Sequence, residues 1–179
     1  MTVVTAGDFE LTTDELRVVA RYVAETADGV LHVFEDIHPD DPRPRAAIAA
    51  AWEFVHGAPR SKTQRITSLD AHRAAAAADT ETARLAAQAA GDAASAAYLH
   101  PIAKAHQVGH ILRAAANAAR IAEIDDGPQT RDDSLRLARE RATPVLLDVL
   151  RRYPPAPTGG SRVAQLMATL DDALRALPR

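Results

Sequence analysis

The stretch from Thr67 to Ile124 constrains this chain more than any other, because it is dominated by alanine and interrupted by so little else. Alanine has the best intrinsic helix propensity, and a helix faced with methyl groups lets its neighbours approach closely. Four of the seven histidines, His72, His100, His106 and His110, lie within it. The stretch therefore implies closely packed helices with polar groups set among small ones.

The remainder of the chain agrees with an all-α fold. A length of 179 residues suits one domain with its own core, about one residue in five is alanine, and only 4% are aromatic. No segment reads as a strand. The expected architecture is a single-domain helical bundle of about seven helices over residues 1–179, with Ala-rich central helices and helical-hairpin stacking as its variant. Within it, residues 11–124 precede the first linker. Residues 128–179 form a helical extension after a linker at 125–128, with a second linker at 154–160.

Thr12 and Glu15 make a capping-box pattern that opens a long first helix, about Thr13 to Asp36, with Gly29 as a point of weakness. The prolines of residues 38–45 make a rigid corner before a second helix that starts near Arg43, buries Ile48, Ala51, Trp52 and Val55, and ends at Gly57 and Pro59. Ser61 with Gln64 caps a third helix, which runs through Ile66 and Leu69 to Asp79. Asp79 or Thr80 caps a fourth. Pro101 is expected in the first turn of a fifth helix reaching about Glu123. Thr130 and Asp133 open a sixth, which Pro144 kinks or divides before Tyr153, and the last carries Val163, Leu166, Met167, Leu170 and Leu174.

Several functions lack their residues. Without cysteine there is no disulfide, redox thiol or thiolate metal site. No GxSxG elbow or phosphate-binding loop occurs, and no cofactor is implied. The beginning of the chain lacks a basic region followed by an apolar run, and no window approaches a membrane span, so the cytoplasm is the expected location. Charge is uneven: residues 1–41 carry ten acids against Arg17 and Arg21, net −8, and the remainder is +5. An acidic first helix with few aromatic rings argues against nucleic acid, and it reads either as a solvated helix face or as a surface that attracts a basic protein partner.

Two groups of residues carry chemistry. On a fifth helix, His106, His110, Arg113 and Asn117 would form one polar stripe facing either water or a cleft. Asp92 lies seven residues from both Leu85 and Leu99, so it shares the apolar side of its helix and needs a cationic partner from His72, His106, His110 or Arg113. This cluster reads as a structural network or a partner contact involving His106, Arg113 and Asn117. The alternative is a small-molecule enzyme or ligand sensor, with His72, Asp92 and His110 as its catalytic set, or a metal on His106 and His110. The second group is the proline corner, where Asp36, Asp40, Asp41, Arg43, Arg45 and Trp52 read as an internal network or a preorganised recognition edge.

The segments LTTDELRVVARYVAE, VLHVFED, HPDDPRPRAAIAAAWEF, LDAHRAAAAA, AAQAAGDAASAAYLHP and VGHILRAAANAAR together resemble the immunity-protein-five-like family of bacterial polymorphic toxin systems, from about Leu11 to Ala122. The resemblance implies an all-helical cytosolic protein that binds and neutralises a cognate toxin without catalysis. Matching positions are Asp41, Arg43, Pro44, Arg45, His72, Gly91 and His110. Asp92 departs from the pattern, which more often has histidine after that glycine. A homodimer joined by alanine-rich helices is the remaining alternative for the partner.

Overall fold

A computed structural model describes residues 9–178; Asp8 and the beginning of the chain, on which part of the acidic count and the reading of the leader rest, lie outside them. Eight α-helices form and no β-strand does among the described residues: α1 (Thr13–Glu35), α2 (Arg43–Val55), α3 (Lys62–Ala76), α4 (Glu81–Ser95), α5 (Val108–Asp126), α6 (Pro128–Glu140), α7 (Pro144–Arg151) and α8 (Arg162–Arg175). The bundle is organised around α4, which packs against α1, α2, α3 and α5. Its alanines Ala83, Ala86, Ala87, Ala89, Ala90, Ala93 and Ala94 are all buried. A helix enclosed on every side needs small side chains on every side. Its alanine faces are thus consumed within the chain.

Local chemistry sets the helix starts. Thr12 and Glu15 form a reciprocal capping box on α1, and Ser61 and Gln64 form another on α3. Each satisfies two backbone amides that a helix start leaves without partners. Thr80, not Asp79, caps α4 by accepting from the Ala83 amide. α1 runs unbroken through Gly29. Trp52 is half-buried rather than part of the buried stripe of α2, and Ile66 and Leu69 are exposed on α3.

Two expectations need correction, and at Pro144 one of two expected outcomes is realised. The fifth helix does not start at Pro101: α4 ends at Ser95, 3-10 turns cover Ala96–Tyr98 and Ala105–Gln107, and α5 starts only at Val108. Long-range hydrogen bonds hold the intervening segment extended: the Tyr153 hydroxyl donates to the His100 carbonyl, the His100 amide to Gln107 Oε1, and the Phe9 amide to the Pro101 carbonyl. The linker at 125–128 shrinks to Gly127, whose φ of +90° makes the turn between α5 and α6. Pro144 divides the sixth helix and stands at the start of α7, which raises the count from about seven to eight.

Beyond this point the chain packs back onto the bundle. α6 and α8 lie against α5, α7 lies against α1 and α8, and Leu146, Leu150, Leu166, Leu170 and Leu174 join the core that begins at Leu16. Glu123 ties three helices together, accepting from Arg120 of α5, Arg131 of α6 and Arg162 of α8. Ile111 is fully buried where α5 meets the core. Ile111→Ala is expected to destabilise the fold by about 2–5 kcal/mol in urea denaturation. Leu69→Ala, at an exposed position of α3, is expected to stay within about 0.5 kcal/mol of the parent.

Candidate functional site

The polar cluster lies in the seam where α3, α4 and α5 meet. Asp92 is 1% exposed, and Arg113 of α5 grips it with both arms of the guanidinium: Nε donates to Oδ2 at 2.8 Å and Nη2 to Oδ1 at 2.5 Å. This planar two-point contact suits arginine far better than lysine. These hydrogen bonds, against the opposing effect of burial, raise the Arg113 pKa above its ordinary value. The carboxylate that the apolar azimuth of α4 seemed to strand is therefore paired.

The imidazole of His72 reaches the same carboxylate from α3, with Nε2 at 3.6 Å from Oδ1. It can lie there because residue 91 is glycine: a β-carbon at that position would stand 2.7–2.9 Å from the His72 ring. Ser68, one turn earlier on α3, donates to the Gly91 carbonyl at 2.9 Å. Small side chain, close approach and buried hydrogen bonds thus belong to one arrangement. His110 is half-buried one turn before Arg113, with a buried Nδ1 that has no hydrogen-bond partner among the described residues.

Asn117 continues this line one turn further along α5. Fully buried, it donates to the Leu85 carbonyl at 3.1 Å and to Gln88 Oε1 at 2.9 Å. His110, Arg113 and Asn117 do share a side of α5, and Arg113 and Asn117 bind α4. His106 does not belong to that stripe, since it precedes α5 in a 3-10 turn, is exposed, and contacts the side chain of Gln107. Gln88, Ser68 and Gln107 escaped the sequence reading because a glutamine or serine in an alanine-rich stretch has no pattern that announces a buried partner.

Burial pushes both His72 and His110 below the ordinary histidine pKa; Asp92 opposes that shift and Arg113 reinforces it. Both oxygens of Asp92 are taken by Arg113, and neither imidazole hydrogen-bonds the carboxylate. The contact that orients a histidine as a general base is thus not made in this arrangement. Among the described residues, no three His, Cys, Asp or Glu side chains gather closely enough to hold a metal ion.

The proline corner is built differently. Arg43 makes a two-armed contact with Asp41, whose carboxylate also accepts from the Arg43 amide. Arg45 reaches back to Glu35 at 2.6 and 2.7 Å, tying the start of α2 to the end of α1. These contacts hold the Asp41 and Glu35 carboxyls below the ordinary carboxylate range. Asp36 and Asp40 remain exposed without an ion pair among the described residues. Trp52 donates its indole N–H to Asp28 Oδ2 at 2.6 Å, and its ring stacks on His56 at 5.4 Å with Arg21 above it at 5.8 Å.

The family described as "Imm-5 like putative immunity protein" matches residues 10–144. The chain belongs to this family. The match includes the proline corner, the α3–α4–α5 seam and all of α6, running past the Ala122 limit of the motif resemblance. No curated protein and no solved structure matches the chain. None of the described helices is long and apolar enough to cross a membrane.

The depressed histidines give the fold a pH dependence of known sign. In the folded state His72 and His110 protonate below 6.5, whereas in the unfolded chain they protonate near it, so acidification loads the unfolded state first. Stability from this source is complete above about pH 6.5 and is lost as the pH falls from there toward the folded values. Urea denaturation across that window is expected to show falling stability toward acid. The His72→Gln/His110→Gln variant is expected to show a flatter profile.

Proposed function

We propose that this chain is an immunity protein that binds a cognate toxin and neutralises it by occlusion, without catalysis. Membership of the immunity-protein family carries the reading. The exterior of α1 and α2 supports a place for the contact. There, Trp52 and His56 form a stacked platform, and the rigid corner offers a surface that loses little freedom when it docks. Glu25 of α1, Glu53 of α2, and Asp36 and Asp40 of the corner have no ion-pair partners among the described residues.

The charge of that surface favours a basic toxin, because complementary potentials speed encounter while an aromatic anchor holds the complex. Under this reading the two proteins meet in the bacterial cytoplasm, with no nucleic acid or membrane involved. The α3–α4–α5 cluster then serves as the internal frame of the docking surface.

The test is to co-express the chain with the product of the adjacent gene and follow growth and complex formation. Relief of toxicity and a stable complex are expected. Trp52→Ala should weaken that complex at least about tenfold, as loss of an anchor worth more than about 1.4 kcal/mol does. Glu25→Lys with Glu53→Lys should slow association and lessen its salt dependence. No relief from any neighbouring toxin would count against the reading.

A further inference from the structure

A second surface borders the Trp52 platform. α1, α5 and α6 enclose a groove of about 490 Å³, walled by Val30 and Val33 of α1, Ala118 and Ala122 of α5, and Leu137 of α6. Leu137 is 44% exposed on the groove wall and offers an apolar contact to an occupant. We propose that this groove receives a basic amphipathic helix of the partner, and the proposal rests on the toxin-binding reading above.

The charge at its mouth argues for that occupant. Asp125 and Asp126 lie in the last turn of α5, where the free carbonyls of the helix already concentrate negative potential and where a cation would normally be found. Neither has an ion-pair partner among the described residues, while Asp133 and Glu140 share the single guanidinium of Arg136. Arg141 lies on the same rim. The mouth therefore holds four carboxylates against two guanidinium groups. Lysine or arginine side chains from a docked helix would supply the missing positive charge.

Gly29 adds an independent observation. It sits inside α1 on the lip of the groove, and a β-carbon placed there would meet nothing within 4 Å. Glycine weakens a helix interior relative to alanine, and no contact within the chain requires its absence of side chain here. A bare backbone at that point lets a partner helix come close. Gly29 also follows Asp28, the residue that holds the Trp52 indole, so the groove continues the platform around α1.

A second copy of this chain fits the groove less well, because a two-fold contact would set these carboxylates against themselves. A helix with apolar residues at i, i+3, i+4 and i+7 and lysines elsewhere matches both the apolar walls and the acidic mouth.

The probe is a fluorescein-labelled synthetic helix with leucine at those positions and lysine at the others, titrated with the full chain by anisotropy, beside the same peptide with glutamate for lysine. The lysine peptide is expected to bind in a salt-sensitive way and the glutamate peptide not to. Gly29→Lys is expected to raise the melting temperature of the protein and yet weaken peptide binding at least tenfold, which separates docking from folding. Asp125→Asn/Asp126→Asn should weaken binding without lowering the melting temperature. No binding of the lysine peptide, equal binding of both peptides, or unchanged binding by these variants would overturn the proposal. With the toxin itself, protection that survives Gly29→Lys and Leu137→Lys unchanged would overturn the groove and leave the immunity reading standing. Peptide held in the groove with no toxin relieved by any form would support the groove and remove the immunity reading.

Discussion

The two-armed contact between Asp92 and Arg113 is the constraint around which the rest is arranged. An alanine seam offers close packing but little to distinguish one register from the next, because one methyl group resembles another. A carboxylate in the last turn of α4, 1% exposed, removes that freedom: only the register that brings the Arg113 guanidinium onto it avoids a bare buried charge. Asn117 repeats the device one turn on, and Ser68 and His72 extend it to α3 through the Gly91 gap. Asp92 is paired at both oxygens within this network, and buried hydrogen bonds of this kind rigidify what they join.

That frame holds the outer helices where their charges matter. Many arginines are spent within the chain: Arg45 on Glu35, Arg152 on Glu15 and Asp148, Arg175 on Asp171, and Arg120, Arg131 and Arg162 on Glu123. Apart from the pair at the buried Asp171, these lie at or near the surface and contribute little stability individually, but all of them consume positive charge. Glu25, Asp36, Asp40, Glu53, Asp125 and Asp126 are among the acids left without ion-pair partners among the described residues. A basic partner is the complement we propose for them.

The helical class, the capping boxes at Thr12 and Ser61, and the need of Asp92 for a cation were legible in the sequence because each is a local signal with a fixed spacing. The segment from Leu99 to Gln107 was not. Pro101 looks like the first turn of a helix, but its conformation is set by hydrogen bonds to Tyr153 and Phe9, which local periodicity does not encode. The same holds for Glu123, whose three arginines come from three helices. Four candidate partners for Asp92 could be named, but choosing Arg113 required knowing how α5 lies on α4. The long-range geometry also moved His106 out of the polar stripe, because α5 begins two residues after it.

The central claim is that the buried cluster frames the protein while the outer surface binds. Replacing the pair outright tests it most directly: Arg113→Met alone, and Arg113→Met with Asp92→Ala, compared for urea stability and for protection against the toxin. The single variant leaves a buried carboxylate bare and is expected to cost about 3–5 kcal/mol, and the double variant is expected to recover much of that loss and still protect. A double variant that folds as stably as the parent but no longer protects would place function in the cluster and contradict the account.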